Sequence, residues 1–327
     1  MSGKVLFLSA SDVAEALSME AAIAAVGTAF VQLSAGQAEV PVRTHIELGG
    51  DAGALFMPAF LPQSSRLGLK VVTVVPENAE REIPTIQALM TVFDATTGRV
   101  QAVMDAEVLT AIRTGAASGV ATDALAREDS SVAAVIGAGA QGRRQIEAVC
   151  CVRSIREALV FDADPDNALH FAEELADSMQ IPVRVLHRVN GVIDADVICT
   201  ASSSNTPVLS DEHIAPGTHI NAIGAYRADT REIPGKTVGR ARLVVDSRTT
   251  WKTEAGDLVM AIAEGLLSKD TRPAEIGEIV AGTAPGRADD EEITLFKTVG
   301  NAVQDLAAAA VVLESARALG LGTEVEL

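Results

Sequence analysis

The sequence predicts an α/β protein that combines a doubly wound parallel sheet with a second, discontinuous α+β domain. Three observations predict this class. From Ser130 onward, short apolar segments alternate with helical segments, as a parallel sheet covered by helices requires. The residues before Ser130 lack this alternation and contain helices followed by strands. An apolar helix predicted at residues 301–319 follows the alternating region and is too apolar to stand alone.

Length and composition agree with two domains. The 327 residues fit roughly two domains of about 150 residues each. The chain is 48% hydrophobic but only 3% aromatic, which suits the small branched side chains that pack parallel strands against helices. We expect the last helix to pack on the first domain. We therefore place one domain at residues 1–115 plus 305–327 and the other at 116–304.

The first domain begins with a short helix and a long helix. Ser9 and Ser18 are the expected N-caps, and Gly36 lies where the long helix should end. Strand-like segments follow at residues 42–48 and 68–75, and the segment IQALMTVFDATTGRVQAVMD predicts a hairpin that turns at Thr97 and Gly98.

The second domain is predicted from its apolar runs. The expected strands are at residues 132–136, 157–161, 183–186, 197–200, 219–223 and 243–246, with helices at 143–149 and 168–179.

A glycine motif, VIGAGAQG, separates the first of these strands from the first helix. Gly137 permits a tight turn, Gly139 allows the backbone to approach a pyrophosphate, and Gly142 allows close packing of the helix on the strand. The helix N-terminus presents free N–H groups and a positive dipole end to phosphate. Because the motif stands between a strand and a helix, it predicts a dinucleotide-binding Rossmann domain.

An acidic residue indicates which dinucleotide this is. Asp162 follows the second strand, twenty residues after Gly142. A carboxylate there accepts hydrogen bonds from the adenosine ribose hydroxyls and repels a 2′-phosphate, and no arginine follows it directly. The sequence therefore favours NAD(H) over NADP(H). A solvated aspartate at a strand end is the alternative interpretation.

Three cations of the first domain border apolar segments. Arg43 lies in VPVRTHIEL, Lys70 in LGLKVVTVV and Arg113 in LTAIRTGAASGVA. An ammonium flanked by leucine and valine is costly to bury without a partner, which marks Lys70 as a candidate functional residue. Arg43 is also compatible with a solvated strand charge, and Arg113 with an ion pair on a helix surface. Guanidinium groups bind carboxylates and a desolvated lysine transfers protons, so the three residues suit an α-imino or α-amino acid.

Charge and cysteine usage exclude other classes of protein. The chain carries 44 acidic and 26 basic residues, a net charge of -18, which disfavours nucleic acid and anionic membranes as partners. Its apolar runs are too short to span a bilayer. The three cysteines lack C-x-x-C spacing, so we expect no metal site, buried free thiols and a cytoplasmic location.

Five ordered segments carry a resemblance to a known family: GLKVVTVVPEN, IRTGAASGVAT, VIGAGAQG, GTHINAIGAYRADTREI and DEEITLFKTVGNAVQDLAAA. Together they make the chain similar to the ornithine cyclodeaminase/mu-crystallin family over nearly its whole length. The resemblance implies a homodimer in which the first domain binds substrate and forms the dimer contact. It also implies that Arg43, Lys70 and Arg113 contact the substrate, with Lys70 as the proton donor or acceptor. The resemblance, together with the glycine motif, also implies a set of positions that line the cofactor. These are Arg113, Thr114, Gly137, Gly139, Ala140, Gln141, Gly142, Asp162, Thr200, Ala201, Gly224, Ala225, Val299 and Gly300.

Two departures from the family pattern bear on the substrate. Cyclodeaminases of this family have an aspartate where this chain has Tyr226, and here the carboxylate has moved to Asp229, as in the imino-acid reductase branch. Lys297 also replaces an acid common in cyclodeaminases. We therefore expect NAD(H)-dependent hydride transfer between the nicotinamide and the α-carbon of a small imino acid, with Asp229 near the substrate nitrogen. Alanine dehydrogenase, ornithine cyclodeaminase and a crystallin-like binding protein without catalysis are the alternatives.

Overall fold

The chain folds as two compact units in the computed structural model, which describes residues 3–50 and 52–326. The first unit comprises the residues up to Arg113 together with those from Asn301 onward, and the second comprises Thr114–Gly300. These divisions fall two and four residues before the predicted ones at 115 and 305. The roles of the two domains stay predictions at this point.

Within the described residues, the strands are β1 (Lys4–Leu8), β2 (Thr44–Gly49), β3 (Ala52–Leu61), β4 (Arg66–Val74), β5 (Ile86–Asp94), β6 (Val100–Asp105), β7 (Val132–Ile136), β8 (Glu157–Phe161), β9 (Val183–Val185), β10 (Val197–Thr200), β11 (His219–Ala222), β12 (Arg242–Val245), β13 (Ala274–Glu275), β14 (Thr294–Lys297) and β15 (Thr323–Glu326). The α-helices are α1 (Ala10–Ala16), α2 (Met19–Ser34), α3 (Glu107–Leu125), α4 (Ala140–Val152), α5 (Pro165–Met179), α6 (Gly235–Arg240), α7 (Trp251–Glu254), α8 (Gly256–Ala263), α9 (Ile276–Val280) and α10 (Ala302–Leu319).

The first unit is a mixed sheet with helices on one face. Its described strands are ordered β15-β1-β6-β5-β4-β3-β2, and β1 and β6 are parallel whereas the other neighbours are antiparallel. Helix α10 packs against α1 and α2 and on strands β3, β4 and β5. The buried side chains of Met57, Met90 and Met104 share the sheet face of Lys70, since these residues are paired across neighbouring strands.

The predicted helix starts of this unit are confirmed. Ser9 caps α1 and accepts from Asp12 N, while the Asp12 carboxylate accepts from Ser9 N. Ser18 caps α2 by accepting from Ala21 N. Gly36 follows the last residues of α2 with a φ of +68°, a left-handed conformation that glycine adopts without strain.

The second unit is a parallel sheet buried on both faces. Its described strands are ordered β13-β12-β14-β11-β10-β7-β8-β9, and every neighbouring pair is parallel. Alternate residues of β7 enter different cores, Ala134 and Ile136 on one face and Ala133 and Val135 on the other. A strand buried on both faces needs a continuous apolar run, which is why the sequence signal was strong. The predicted fold class is confirmed.

His219 lies in the middle of this sheet and is fully buried. Its Nδ1 is 2.8 Å from Thr294 Oγ1 and its Nε2 is 3.2 Å from Asn221 Oδ1. Burial, together with the nearby positive charge of Arg287, lowers the pKa of His219 from 6.5 to about 3. The folded protein therefore holds a neutral imidazole.

We expect His219 to make the protein less stable in acid. Between pH 6.5 and about 3 the unfolded chain binds a proton that the folded chain does not, so the contribution of the neutral ring is present above 6.5 and is lost as the pH falls. The loss is at most about 1.4 kcal/mol per pH unit. Urea unfolding of the wild-type protein and H219Q at about pH 7 and about pH 5 measures it. Equal losses of unfolding free energy in both proteins would contradict the assignment.

Two further expectations concern cysteines and membranes. Cys199 is buried as expected, and Cys150 is partly buried. Cys151 is exposed because the last turn of α4 runs to the surface, so the expectation of a buried thiol is wrong for Cys151.

Over residues 3–50 and 52–326, no single helix is long and apolar enough to cross a membrane. The pair α1 and α2 passes the same test by length and composition, with an 83° bend between them.

Candidate active site

The glycine turn of the second unit has no room for side chains at two positions. Gly137 follows β7 with a φ of +105°, and a Cβ added there would lie 2.5 Å from the backbone oxygen of Ala201. A Cβ on Gly142 would lie 2.2 Å from the oxygen of Gly137. Both distances are far inside van der Waals contact, so the turn and the close packing of α4 depend on these glycines.

The third glycine leaves space for a ligand. A Cβ added to Gly139 would meet none of the described atoms within 4 Å. Gly139 is the N-cap of α4, and among the described residues no side chain caps this helix, so its first N–H groups are available to an anion. The buried Oε1 of Gln141, in the first turn, also finds no hydrogen-bond partner in the described part of the chain. These features fit the pyrophosphate of a dinucleotide.

Asp162 connects the second strand to this turn. Its Oδ2 accepts from Ala138 N at 2.7 Å and its Oδ1 accepts from Asp164 N at 2.9 Å. A carboxylate has about four acceptor positions, so two remain for ribose hydroxyl groups. Two further acids, Asp164 and Asp166, follow Asp162 within four residues, and their negative charge disfavours a 2′-phosphate at this strand end.

The other predicted cofactor positions of the second unit lie at, or just after, the carboxyl ends of strands in the parallel sheet. Because β7, β8, β10, β11 and β14 are parallel, their carboxyl ends share one edge of the sheet, where open α/β sheets bind ligands. The residues at this edge are Ala140, Thr200, Ala201, Gly224, Ala225, Val299 and Gly300. Asp246 holds the last turn, since its Oδ2 accepts from Thr298 Oγ1 at 2.6 Å and from Gly300 N at 3.1 Å. Thr114 is buried within α3, and its contact with cofactor stays a prediction.

In the first unit, two of the predicted cations share one carboxylate oxygen. Lys70 Nζ and Arg113 Nε each donate to Asp305 Oδ1 at 2.8 Å. Lys70 also donates to Thr110 Oγ1 at 3.4 Å, and Arg113 Nη1 donates to Gln304 Oε1 at 2.7 Å. Lys70 is 2% exposed, Arg113 is 6% exposed and Asp305 is fully buried. The sequence placed both cations here, but Asp305, Gln304 and Thr110 were missed.

Burial and the two arginines lower the pKa of Lys70 to about 8, against the opposing charge of Asp305. The positive charge of Arg43 contributes to this shift, so Arg43 belongs to the same electrostatic cluster. It lies directly before β2 and is partly buried. Burial raises the pKa of Asp305, but Arg113 and Lys70 outweigh it, and the result lies below the usual value. The carboxylate is therefore ionised, and the lysine can gain or lose a proton near neutral pH.

A glycine allows the helix that carries Asp305 to reach Lys70. A Cβ on Gly68, two residues before Lys70 on β4, would lie 2.7 Å from Leu306 Cδ1 and 2.5 Å from Met90 Cε. Helix α10 thus packs on bare backbone at this point. The close approach puts Asp305, the neighbour of Leu306, within hydrogen-bond distance of the strand.

The cluster of Arg43, Lys70, Arg113 and Asp305 has three positive charges against one negative charge. An anionic group of a ligand is therefore attracted to it, and guanidinium groups suit a carboxylate. Within the described residues, no three or more His, Cys, Asp or Glu side chains are placed to hold a metal ion. The chemistry that these residues can perform is carboxylate binding with proton transfer.

Asp229, the second predicted catalytic residue, lies on the surface of the second unit. Its side chain is 65% exposed and accepts from Arg227 Nε at 3.0 Å and Nη2 at 2.9 Å. These hydrogen bonds with Arg227 lower its pKa. The preceding Tyr226 is 50% exposed. A catalytic role for Asp229 stays a prediction.

Residues 4–320 match the sequence profile of the ornithine cyclodeaminase/mu-crystallin family. This chain belongs to that family. Its resemblance to family members is therefore confirmed, and it covers both units.

Three family members illustrate the relationship. A Delta(1)-pyrroline-2-carboxylate reductase of Bacillus cereus is 37% identical over 325 residues, covering 98% of this chain and 100% of the relative. The structure of the Thermococcus litoralis Delta(1)-pyrroline-2-carboxylate reductase in complex with NADH and L-proline is 41% identical, with a TM-score of 0.94 over 98% of this chain and 100% of that chain. An archaeal alanine dehydrogenase dimer with bound NAD is 35% identical, with a TM-score of 0.93 over 99% of this chain and 100% of that chain.

Proposed function

We propose that the protein is an NAD(H)-dependent reductase that converts a small α-imino acid to the L-amino acid. The observation that carries this proposal is the buried sharing of Asp305 Oδ1 by Lys70 and Arg113. That arrangement fixes a carboxylate-binding guanidinium beside a lysine able to donate a proton. The glycine turn and Asp162 support NAD(H) as the cofactor, and two relatives are pyrroline-2-carboxylate reductases.

The residues would act by positioning and by proton transfer. Arg43 and Arg113 bind the substrate carboxylate, which fixes the plane of the adjacent C=N bond. Lys70 Nζ donates a proton to the imine nitrogen, and the positive charge on nitrogen makes the carbon a better hydride acceptor. When bound at the glycine turn and Asp162, NADH would supply the hydride for this carbon. In the reverse direction Lys70 accepts the proton from the amine.

Alanine dehydrogenase activity is the second candidate, because an archaeal alanine dehydrogenase is 36% identical over 325 residues. Such an enzyme forms its imine from pyruvate and ammonia, and the same cations would hold the pyruvate carboxylate. Ornithine cyclisation is disfavoured by Tyr226, which stands where cyclodeaminases have an aspartate. A binding protein without catalysis would not need a lysine whose pKa is lowered to about 8.

The test is NADH oxidation by the purified chain with separate substrates. Five- and six-membered cyclic imino acids, iminosuccinate, and pyruvate with ammonia are compared at equal concentration. We expect turnover with a cyclic imino acid to exceed that with pyruvate and ammonia by at least about tenfold in kcat/KM. The reverse order would establish the second candidate. NADH binding without turnover of any substrate would support the binding protein.

We further propose a homodimer formed through the open face of the first sheet. Phe7, Leu67 and Leu89 lie on the face opposite to Lys70 and are 39%, 40% and 43% exposed. They belong to an apolar surface that α10, α1 and α2 do not cover, since these helices pack on the face of Lys70. Apolar side chains exposed together on one face can mark a protein interface, and the archaeal alanine dehydrogenase relative is a dimer.

Leu67→Glu is expected to convert the dimer to a monomer. Burying an unpaired carboxylate costs at least about 2 kcal/mol, so the dissociation constant should rise at least about thirtyfold. Sedimentation velocity over a range of concentrations measures it. Leu169→Glu is the matched control, because Leu169 is 52% exposed on α5 of the other unit. A wild-type chain that sediments as a monomer, or an L67E dimer of unchanged affinity, would contradict the proposal.

A further inference from the structure

Glu232 is fully buried in the second unit, and four donors surround its carboxylate. Its Oε1 accepts from Ser202 N at 2.7 Å and Ser202 Oγ at 2.6 Å. Its Oε2 accepts from Thr200 Oγ1 at 2.8 Å and Gly224 N at 2.7 Å. Four donors match the acceptor positions of an ionised carboxylate, and two of them are backbone N–H groups that can only donate.

These contacts join the ends of two neighbouring strands. Thr200 is the last residue of β10, Ser202 belongs to the turn that follows it, and Gly224 belongs to the turn after β11. A Cβ on Gly224 would lie 2.3 Å from Ser202 O and 2.5 Å from Glu232 Oε1, so the two turns are packed tightly around the carboxylate. Four of the predicted cofactor positions lie at the end of β10 or in these two turns: Thr200, Ala201, Gly224 and Ala225.

A buried ion pair holds Glu232 in turn. Asp257 Oδ1 accepts from the backbone N–H groups of Glu232 at 2.7 Å and Ile233 at 2.8 Å. Lys297 Nζ lies 2.8 Å from Asp257 Oδ2, and both side chains are at most 1% exposed. Burial raises the pKa of Glu232, and the charge of Lys297 opposes that shift. Lys297 therefore offsets the charge of two buried carboxylates.

We propose that Glu232 is a positioning residue that fixes the turns after β10 and β11 in the form that binds the dinucleotide, with Asp257 and Lys297 holding it in place. This inference rests on the proposed NAD(H) function. It assigns Lys297 a part in cofactor affinity, through Asp257 and Glu232. Neither the glycine motif nor Asp162 takes part in this network.

The test is the affinity for NADH of Glu232→Gln, measured by fluorescence titration. The amide keeps the size of the side chain but turns a hydrogen-bond donor toward Ser202 N or Gly224 N, which leaves that N–H without an acceptor. We expect the dissociation constant for NADH to rise at least about tenfold and the KM for NADH to rise with it. At saturating NADH, kcat and the KM for the imino acid should stay within about threefold of the wild-type values.

Asp196→Asn is the matched control. Asp196 also accepts from two backbone N–H groups, those of Ser131 and Val132, but it lies at the amino edge of the same sheet. We expect it to lower the melting temperature and to leave the NADH affinity within about twofold. Ser202→Ala, which removes one hydroxyl donor and keeps Glu232, should weaken NADH binding by about threefold or more, and it serves if E232Q does not fold.

Each outcome decides the inference. Wild-type NADH affinity in E232Q, or in S202A if E232Q is unfolded, would overturn it and leave the proposed function intact. Equal loss of NADH affinity in D196N would also overturn it, since the effect would then follow general destabilisation. A wild-type protein that does not bind NADH would overturn the proposed function and this inference together.

Discussion

Replacing Lys70 by methionine is expected to lower kcat for imino-acid reduction by about 10²-fold to 10⁴-fold, the range associated with the loss of a general acid. Methionine keeps the length and packing of the side chain but cannot donate a proton. Steady-state kinetics at saturating NADH measure the change. Because Asp305 keeps its contact with Arg113, we expect the variant to fold and to retain its affinity for NADH.

The Lys70→Arg variant distinguishes the effect of the positive charge at this position from the effect of proton transfer by Lys70. Arginine keeps the positive charge in the cluster but does not lose a proton at accessible pH, so it should bind substrate and still turn over slowly. In the wild-type protein, kcat/KM for reduction should be high when Lys70 is protonated and should fall as the pH rises through about 8. Full turnover by either variant, or a pH profile without this fall, would remove the proton-transfer role.

Asp305→Asn is expected to produce the second large effect. The substitution removes the negative charge of the four-residue cluster defined above, so Lys70 and Arg113 lose the carboxylate that they share. The pKa of Lys70 should fall further, because Asp305 is the group that opposes its decrease. We expect the falling limb of the pH profile to move at least about one unit below that of the wild type, with a loss of kcat/KM at neutral pH.

The controls for this prediction lie on the same helix. Glu314→Gln removes an acid from α10 that is 70% exposed, and it should leave both the pH profile and kcat/KM unchanged. Asp305→Glu restores the negative charge and should recover part of the shift. Removing one partner of a buried ion pair costs about 3–5 kcal/mol, so the melting temperature of D305N is measured as well. An unshifted pH profile in a folded D305N protein would show that Asp305 does not set the proton affinity of Lys70.

The parallel sheet was predictable because its signals are local. The bounds of β7, β8 and β10 agree with the prediction, since each strand is a short apolar run that ends at a turn. The strands that were missed are β1, β3, β13, β14 and β15, and two of them show the physical reasons. β3 contains glycine, alanine and proline without alternation, and the exposed β15 is defined by its pairing with β1, more than 300 residues away. No local pattern records such a pairing.

The candidate site was predictable only in part, for the same reason. Lys70 could be predicted as a functional residue because its neighbours in the sequence are apolar. The glycine motif and Asp162 could be predicted because they follow a fixed spacing. Asp305 lies 235 residues from Lys70. The signal in the sequence was an acid in the first turn of an apolar helix. Such an acid is expected to be buried beside a cation, but the sequence does not identify that cation. The partners Glu232, Asp257 and Lys297 are likewise separated along the chain and meet only after the strands are aligned.

The bare backbone at Gly68 restricts how this enzyme could be altered. A Cβ at that position would require Met90 Cε and Leu306 Cδ1 to move, and a side chain larger than alanine would also press on α10 beside Asp305, so we expect larger residues to weaken the contacts of Asp305 with Lys70 and Arg113. Substitution at Gly68 is therefore limited to small residues, because β4 and α10 touch there.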